Sequence, residues 1–215
     1  MTRLTIVTNT LKKQRRQNKN KPFSEKLYQK VYDMADKFIL DATAGRRSMW
    51  YNKDNPNTIY MDKETDEDLF KRYSESLQCR NRPGINITKH KTATVHANFK
   101  EIPYPNNSFN LIVFDPPHVI TKKMSGSIQK CFGVLNPETW QSELKKGLEE
   151  CMRVLKPKGV LLFKWNTFSK RVKELYPLFP SDPLFSQTTT GNNQKRNKSK
   201  TVWFCFMKIP EEKEQ

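Results

Sequence analysis

Asp115, Pro116, Pro117 and His118 stand in a row directly after a short apolar run, Leu111 to Phe114. The ionised Asp115 carboxylate is a pure acceptor. The Pro116 carbonyl is a second acceptor close by, and Pro117 has no N–H to compete with it. Two neighbouring acceptors without donors suit a planar amino group that has two N–H bonds to give. His118 adds a flat ring able to stack on a planar base. Together the four residues can hold the exocyclic amine of a nucleobase, and drawing on both amino hydrogens biases the nitrogen lone pair toward attack. The plain alternative is a strand-ending turn capped by Asp115.

These side chains need a frame. FNLIVF, from Phe109, reads as a strand buried on both faces, stopped by prolines that cannot donate to a sheet ladder. Asp115 then lies at the carboxyl end of a central strand, where open α/β sheets bind ligands. Phe38 to Ala42 reads as strand one. Its Asp41 is followed by the small-residue turn Thr43-Ala44-Gly45, which allows close backbone approach by a cofactor. Thr58 to Asp62 reads as strand two, ending in an acid suited to the hydroxyls of an adenosine ribose. Thr92 to Ala97 reads as strand three, followed by Asn98. A helix starts at Asn136-Pro137-Glu138 and runs to about Leu155 on the apolar face of Trp140, Leu144, Leu148, Cys151 and Met152. Val160 to Trp165 is strand five, with Trp165 read as core. Phe168 to Leu175 is expected to be a short helix. Leu184 to Gln187 and Thr201 to Met207 are expected to close the sheet. The alternation predicts a doubly wound α/β sandwich.

FDPPH resembles the [D/N/S]-P-P-[aromatic] motif of S-adenosylmethionine-dependent amino-methyltransferases acting on nucleic acid bases, with His118 at the aromatic position. LDATAG resembles the cofactor-binding motif I of that class, carrying one glycine, Gly45. Asn98, then Ile102-Pro103, then FNLIVFDPPH, and the later RVLKPKGVLLF, resemble further segments of class I methyltransferases. The resemblance spans roughly Lys37 to Lys208. It implies a Rossmann-like sandwich with a mainly parallel seven-stranded sheet and a terminal antiparallel hairpin. It implies S-adenosylmethionine as cofactor, held by Asp41, Thr43, Gly45, Asp62 and Asn98, and catalysis by Asp115, Pro116, Pro117 and His118 without a metal. The aspartate form resembles adenine-N6 and guanine-N2 enzymes more than cytosine-N4 enzymes.

The rest of the chain bears on the partner. Of its 215 residues 39 are Lys or Arg and 22 Asp or Glu, a net charge of +17. That excess favours nucleic acid over a membrane. Residues 1–21 read as a flexible basic arm, 22–209 as the methyltransferase domain, with an amphipathic helix over Ser24 to Asp36, and 210–215 as a disordered tail. Val119 to Leu135 reads as a loop over the pocket mouth. Its Lys122 and Lys123 can meet phosphates, and its Phe132 can stack beside an extruded base. Arg46 faces either the cofactor carboxylate or phosphate. Lys195 and Arg196, in the tip of the last hairpin, are further phosphate candidates. No run approaches the ~20 apolar residues of a membrane span, the start is basic rather than apolar, and the reading is cytoplasmic. The four scattered cysteines favour neither zinc nor disulfides.

The expected activity is methylation of an exocyclic amine of a nucleobase, adenine N6 first, DNA slightly ahead of RNA. Alternatives are an rRNA or tRNA methyltransferase at guanine N2 or adenine N6, a non-catalytic nucleic-acid-binding protein on this fold, and an enzyme acting on a protein amide or small amine. Composition and motifs set no oligomeric state.

Overall fold

The computed structural model describes residues 36–65, 67–68, 93–189 and 199–210. The basic arm, all but the last residue of the helix read over Ser24 to Asp36, the loop from Ser74 to Lys91, Lys195, Arg196, Cys79 and the tail from 211 lie outside the described residues, as do the apolar positions Leu69, Phe70 and Tyr73.

Seven strands form one sheet: β1 (Ile39–Asp41), β2 (Thr58–Asp62), β3 (Val95–His96), β4 (Phe109–Phe114), β5 (Leu155–Asn166), β6 (Phe185–Thr189) and β7 (Thr201–Met207). Their order is β3-β2-β1-β4-β5-β7-β6. All pairs from β3 to β5 are parallel, and β7 runs antiparallel to both β5 and β6. This is the expected Rossmann-like arrangement, a mainly parallel seven-stranded sheet closed by an antiparallel hairpin. The strand order reverses between β1 and β4, so the crevice beyond their carboxyl ends is the ligand site of such a sheet.

Two helices matter for the site. The helix α1 (Ser127–Phe132) lies between β4 and α2 (Trp140–Val154) in the chain. The start of α2 is three residues later than read: its N-cap is Thr139 rather than Asn136, and the Asn136 carbonyl accepts the Thr139 and Trp140 N–H groups at 3.1 and 2.9 Å in the turn before it. Trp140, Leu144, Leu148 and Cys151 form its buried face. At Gly147 an added Cβ would lie 2.7 Å from the Phe99 ring and 2.9 Å from that of Phe114, so this turn of α2 reaches the sheet only because the residue is glycine. At the other end Arg153 donates to Glu150 at 2.7 and 2.8 Å and to the carbonyls of Ile102 and Tyr104, each at 2.8 Å. Glu150 in turn accepts the Ile102 N–H at 2.9 Å. These bonds fix the turn that feeds the chain into β4. Lys208 donates to the Met152 and Leu155 carbonyls at 2.8 Å each, satisfying oxygens that a helix end leaves open.

Some segments differ from expectation. Phe168 to Leu175 is not an α-helix; turns and two short 3-10 helices, Val172–Glu174 and Tyr176–Leu178, replace it. The Trp165 indole N–H takes the Lys170 carbonyl at 3.0 Å and ties the segment to the sheet. Val119 to Leu135 is not an open loop. Its neck is closed by a bridge between Ile120 and Leu135 with bonds of 2.9 and 3.1 Å, because Val119 and Leu135 are buried. β1 and β3 are shorter than read, and β6 begins and ends later. Cys151 and Cys205 are buried free thiols.

Candidate functional site

A cavity of about 310 Å³ opens over the carboxyl ends of β1, β2, β3 and β4, at the lower edge of the roughly 300–1,000 Å³ typical of small-molecule sites. Its lining includes Thr43, Gly45 and Arg46 after β1, Asp62 at the end of β2, and Asn98 after β3. On the other side stand Asp115, Pro116, Pro117 and His118 after β4, with Phe132 from α1. Eight of the nine residues singled out from sequence as catalytic or cofactor-binding converge, and Asp41 is the exception.

Asp41 does not line the cavity and so departs from the expected direct cofactor contact. It is fully buried beneath the turn. One oxygen accepts the Thr43 N–H at 3.2 Å and the other the Trp50 indole N–H at 2.7 Å. Burial pushes its carboxyl up to about 7, opposed by those two bonds and aided by the nearby Asp115 and Asp62 charges. Asp41 holds the shape of the turn from below. Because its folded-state pKa is raised, its contribution to stability is full below about pH 4 and is lost as pH rises to about 7. We expect wild type to lose on the order of 4 kcal/mol across that window relative to Asp41→Asn. Parallel stability curves for the two proteins from pH 4 to 8, by urea unfolding, would contradict this.

The turn after β1 is bound to both neighbours. Gly45 has φ +47°, a conformation that favours glycine, and a Cβ built on it would meet nothing within 4 Å. Its N–H donates to Asp62 at 2.9 Å. The Thr43 hydroxyl accepts the Asp115 N–H at 2.8 Å. A bond from β1's turn to β4's turn therefore spans the point where the strand order reverses. Asn98 accepts the Lys100 N–H at 3.0 Å and keeps lone-pair capacity on the same oxygen.

The second half of the site holds a contact that the motifs did not reveal. Lys164, on β5, donates to the Asp115 carboxylate at 2.6 Å, and both side chains are about a quarter exposed. The parallel register pairs Phe114 with Phe163, so the next residue of each strand comes side by side. His118 is largely buried, and that burial, helped by Lys164 and opposed by Asp115, moves its imidazole below the usual range. That shift favours the neutral imidazole. Lys63, Glu64, Lys100 and Glu143 also line the cavity without having been singled out.

Lys122 and Lys123 are exposed and outside the cavity lining; Lys122 pairs with Glu138. Phe132, about half exposed, is at the cavity's edge.

No protein-family model and no curated protein matches the sequence. Solved structures of similar fold include an S-adenosylmethionine-dependent methyltransferase from Methanosarcina mazei, 14% identical with a TM-score of 0.48, over 84% of this chain and 97% of that one. TrmN from Thermus thermophilus is 14% identical with a TM-score of 0.46, over 85% of this chain and 48% of that one. The antibiotic-resistance methyltransferase Kmr is 14% identical with a TM-score of 0.45, over 88% and 95%. Likeness at this level carries no argument about activity; the fold rests on the sheet order itself.

Proposed function

We propose that this chain is an S-adenosylmethionine-dependent methyltransferase that modifies an exocyclic amino group of a nucleic acid base, adenine N6 first, with DNA slightly ahead of RNA. The observation that carries the proposal is the shared cavity: the Asp115-Pro116 acceptor pair opens onto the same space as the Gly45 turn, Asp62 and Asn98. The residues fit the cofactor. The open space above Gly45 leaves room for close approach to the backbone, Asp62 offers ribose hydroxyls an acceptor, and Asn98 offers one to an adenine amine. The carboxylate of Asp62 suits a permanent cation. When bound, the cofactor supplies an electrophilic methyl group on a sulfonium.

The protein's own work is positional. Asp115 and the Pro116 carbonyl draw on the amino hydrogens of the target, which leaves the nitrogen lone pair directed away from them. His118 and Phe132 provide flat surfaces for a base that has left its stack. The positive charge of the whole chain attracts phosphate.

The test is transfer of tritiated methyl from S-adenosylmethionine into separate DNA, RNA and protein pools. We expect label in nucleic acid. Label in protein alone supports the side-chain amide alternative and overturns this proposal. Cofactor binding without label in any pool supports a non-catalytic binder.

A further inference from the structure

Resting on that proposal and deepening it, we infer that Lys164 reads the atom next to the target amine and so selects which base is methylated. Asp115 accepts, and the ammonium that donates to it at 2.6 Å lies beside it on the neighbouring strand. Both line the cavity. The wall there presents an acceptor and then a cationic donor. Its complement is an amino group next to a ring nitrogen that carries a lone pair.

Adenine presents that edge with its N6 amine and N1, and cytosine with its N4 amine and N3. Guanine presents an N–H at N1 on one side of its N2 amine, which would face the lysine donor to donor, and fits only when turned so that the N3 lone pair on the other side meets the lysine. A buried or half-buried donor left without its acceptor is costly, so this pairing discriminates more strongly than shape alone. The carboxylate has room for the amine as well as the lysine, because one Asp accepts several hydrogen bonds. The Lys164 ammonium also lies 5.7 Å from the centre of the Trp203 ring. On this account Lys164 is a specificity residue that positions the base, and Asp115 is the group that touches the reacting amine.

The experiment compares oligonucleotides of the preferred nucleic acid carrying adenine or 1-deazaadenine, which keeps the amine and lacks the N1 lone pair. Wild type is expected to lose about 10- to 100-fold in kcat/KM on the analogue, the scale of one charge-assisted hydrogen bond. Lys164→Met is expected to be slower on adenine and to treat the two bases alike. Lys164→Arg, which keeps a cationic donor, is expected to restore discrimination. Calorimetric titration with S-adenosylmethionine should give all three proteins the same affinity. A merely structural role for Lys164 would slow both substrates equally and leave their ratio unchanged. The inference is overturned if wild type uses adenine and 1-deazaadenine equally well, or if Lys164→Met discriminates as wild type does. Failure of wild type to methylate any native base is a different result, and it removes the proposed function along with this inference.

Discussion

Asp115→Ala is expected to abolish methyl transfer, by about 1,000-fold or more, while calorimetric affinity for S-adenosylmethionine survives. An acceptor that acts on the developing charge of a transition state is worth that much when it is pre-placed. The substitution removes the acceptor for the target amine and also frees the Lys164 ammonium, which then faces the cavity without its counter-charge. Asp115→Asn separates the two effects. Its carbonyl oxygen still accepts a hydrogen bond, so turnover is expected to fall less than in the alanine variant. The Thr43–Asp115 bond uses backbone N–H and is kept in both variants, which is why the cofactor side of the cavity should hold its shape. Turnover retained by Asp115→Ala, under conditions where wild type turns over, would contradict the role given to this carboxylate.

Trp165→Ala is expected to destabilise the fold by about 3–5 kcal/mol, the usual cost of truncating a large buried aromatic. For a domain of this size that corresponds to a fall of roughly 10 °C in Tm. Trp165 is fully buried, lies 6.2 Å from the Phe163 ring, and its indole N–H holds the Lys170 carbonyl. The truncation leaves a cavity in the core and an unpartnered carbonyl at once. A loss below about 1 kcal/mol in urea unfolding would mean that the site collapses easily and that this corner of the core is less constrained than its packing indicates.

Much of the frame was legible before any coordinates. Thr58 to Asp62 and Thr201 to Met207 were read at their exact bounds, because each is an apolar or β-branched run flanked by polar turn residues. Gly45, Asp62, Asn98 and Asp115 each end a strand or follow one, so their convergence followed from reading the sheet as doubly wound. Phe168 to Leu175 was misread since its pattern is local, while the Trp165–Lys170 bond that shapes the segment joins it to the sheet. Asp41 has the place of a cofactor contact in the chain, yet the Trp50 indole that draws it under the turn lies nine residues on and carries no motif. Lys164 was passed over because it belongs to none of the motifs. Only the register between β4 and β5 brings it to Asp115.

The chemical position of the transferred methyl group tests most directly whether Asp115 and Pro116 present an exocyclic amine. Nucleic acid labelled by wild type with tritiated S-adenosylmethionine is digested to nucleosides, and the labelled species is identified by chromatography with mass spectrometry. We predict N6-methyladenosine or its deoxy form, with the label absent after Asp115→Ala. Label on a ribose oxygen, on a ring carbon or on a ring nitrogen would contradict the assignment of Asp115 and Pro116 as acceptors for an exocyclic amine.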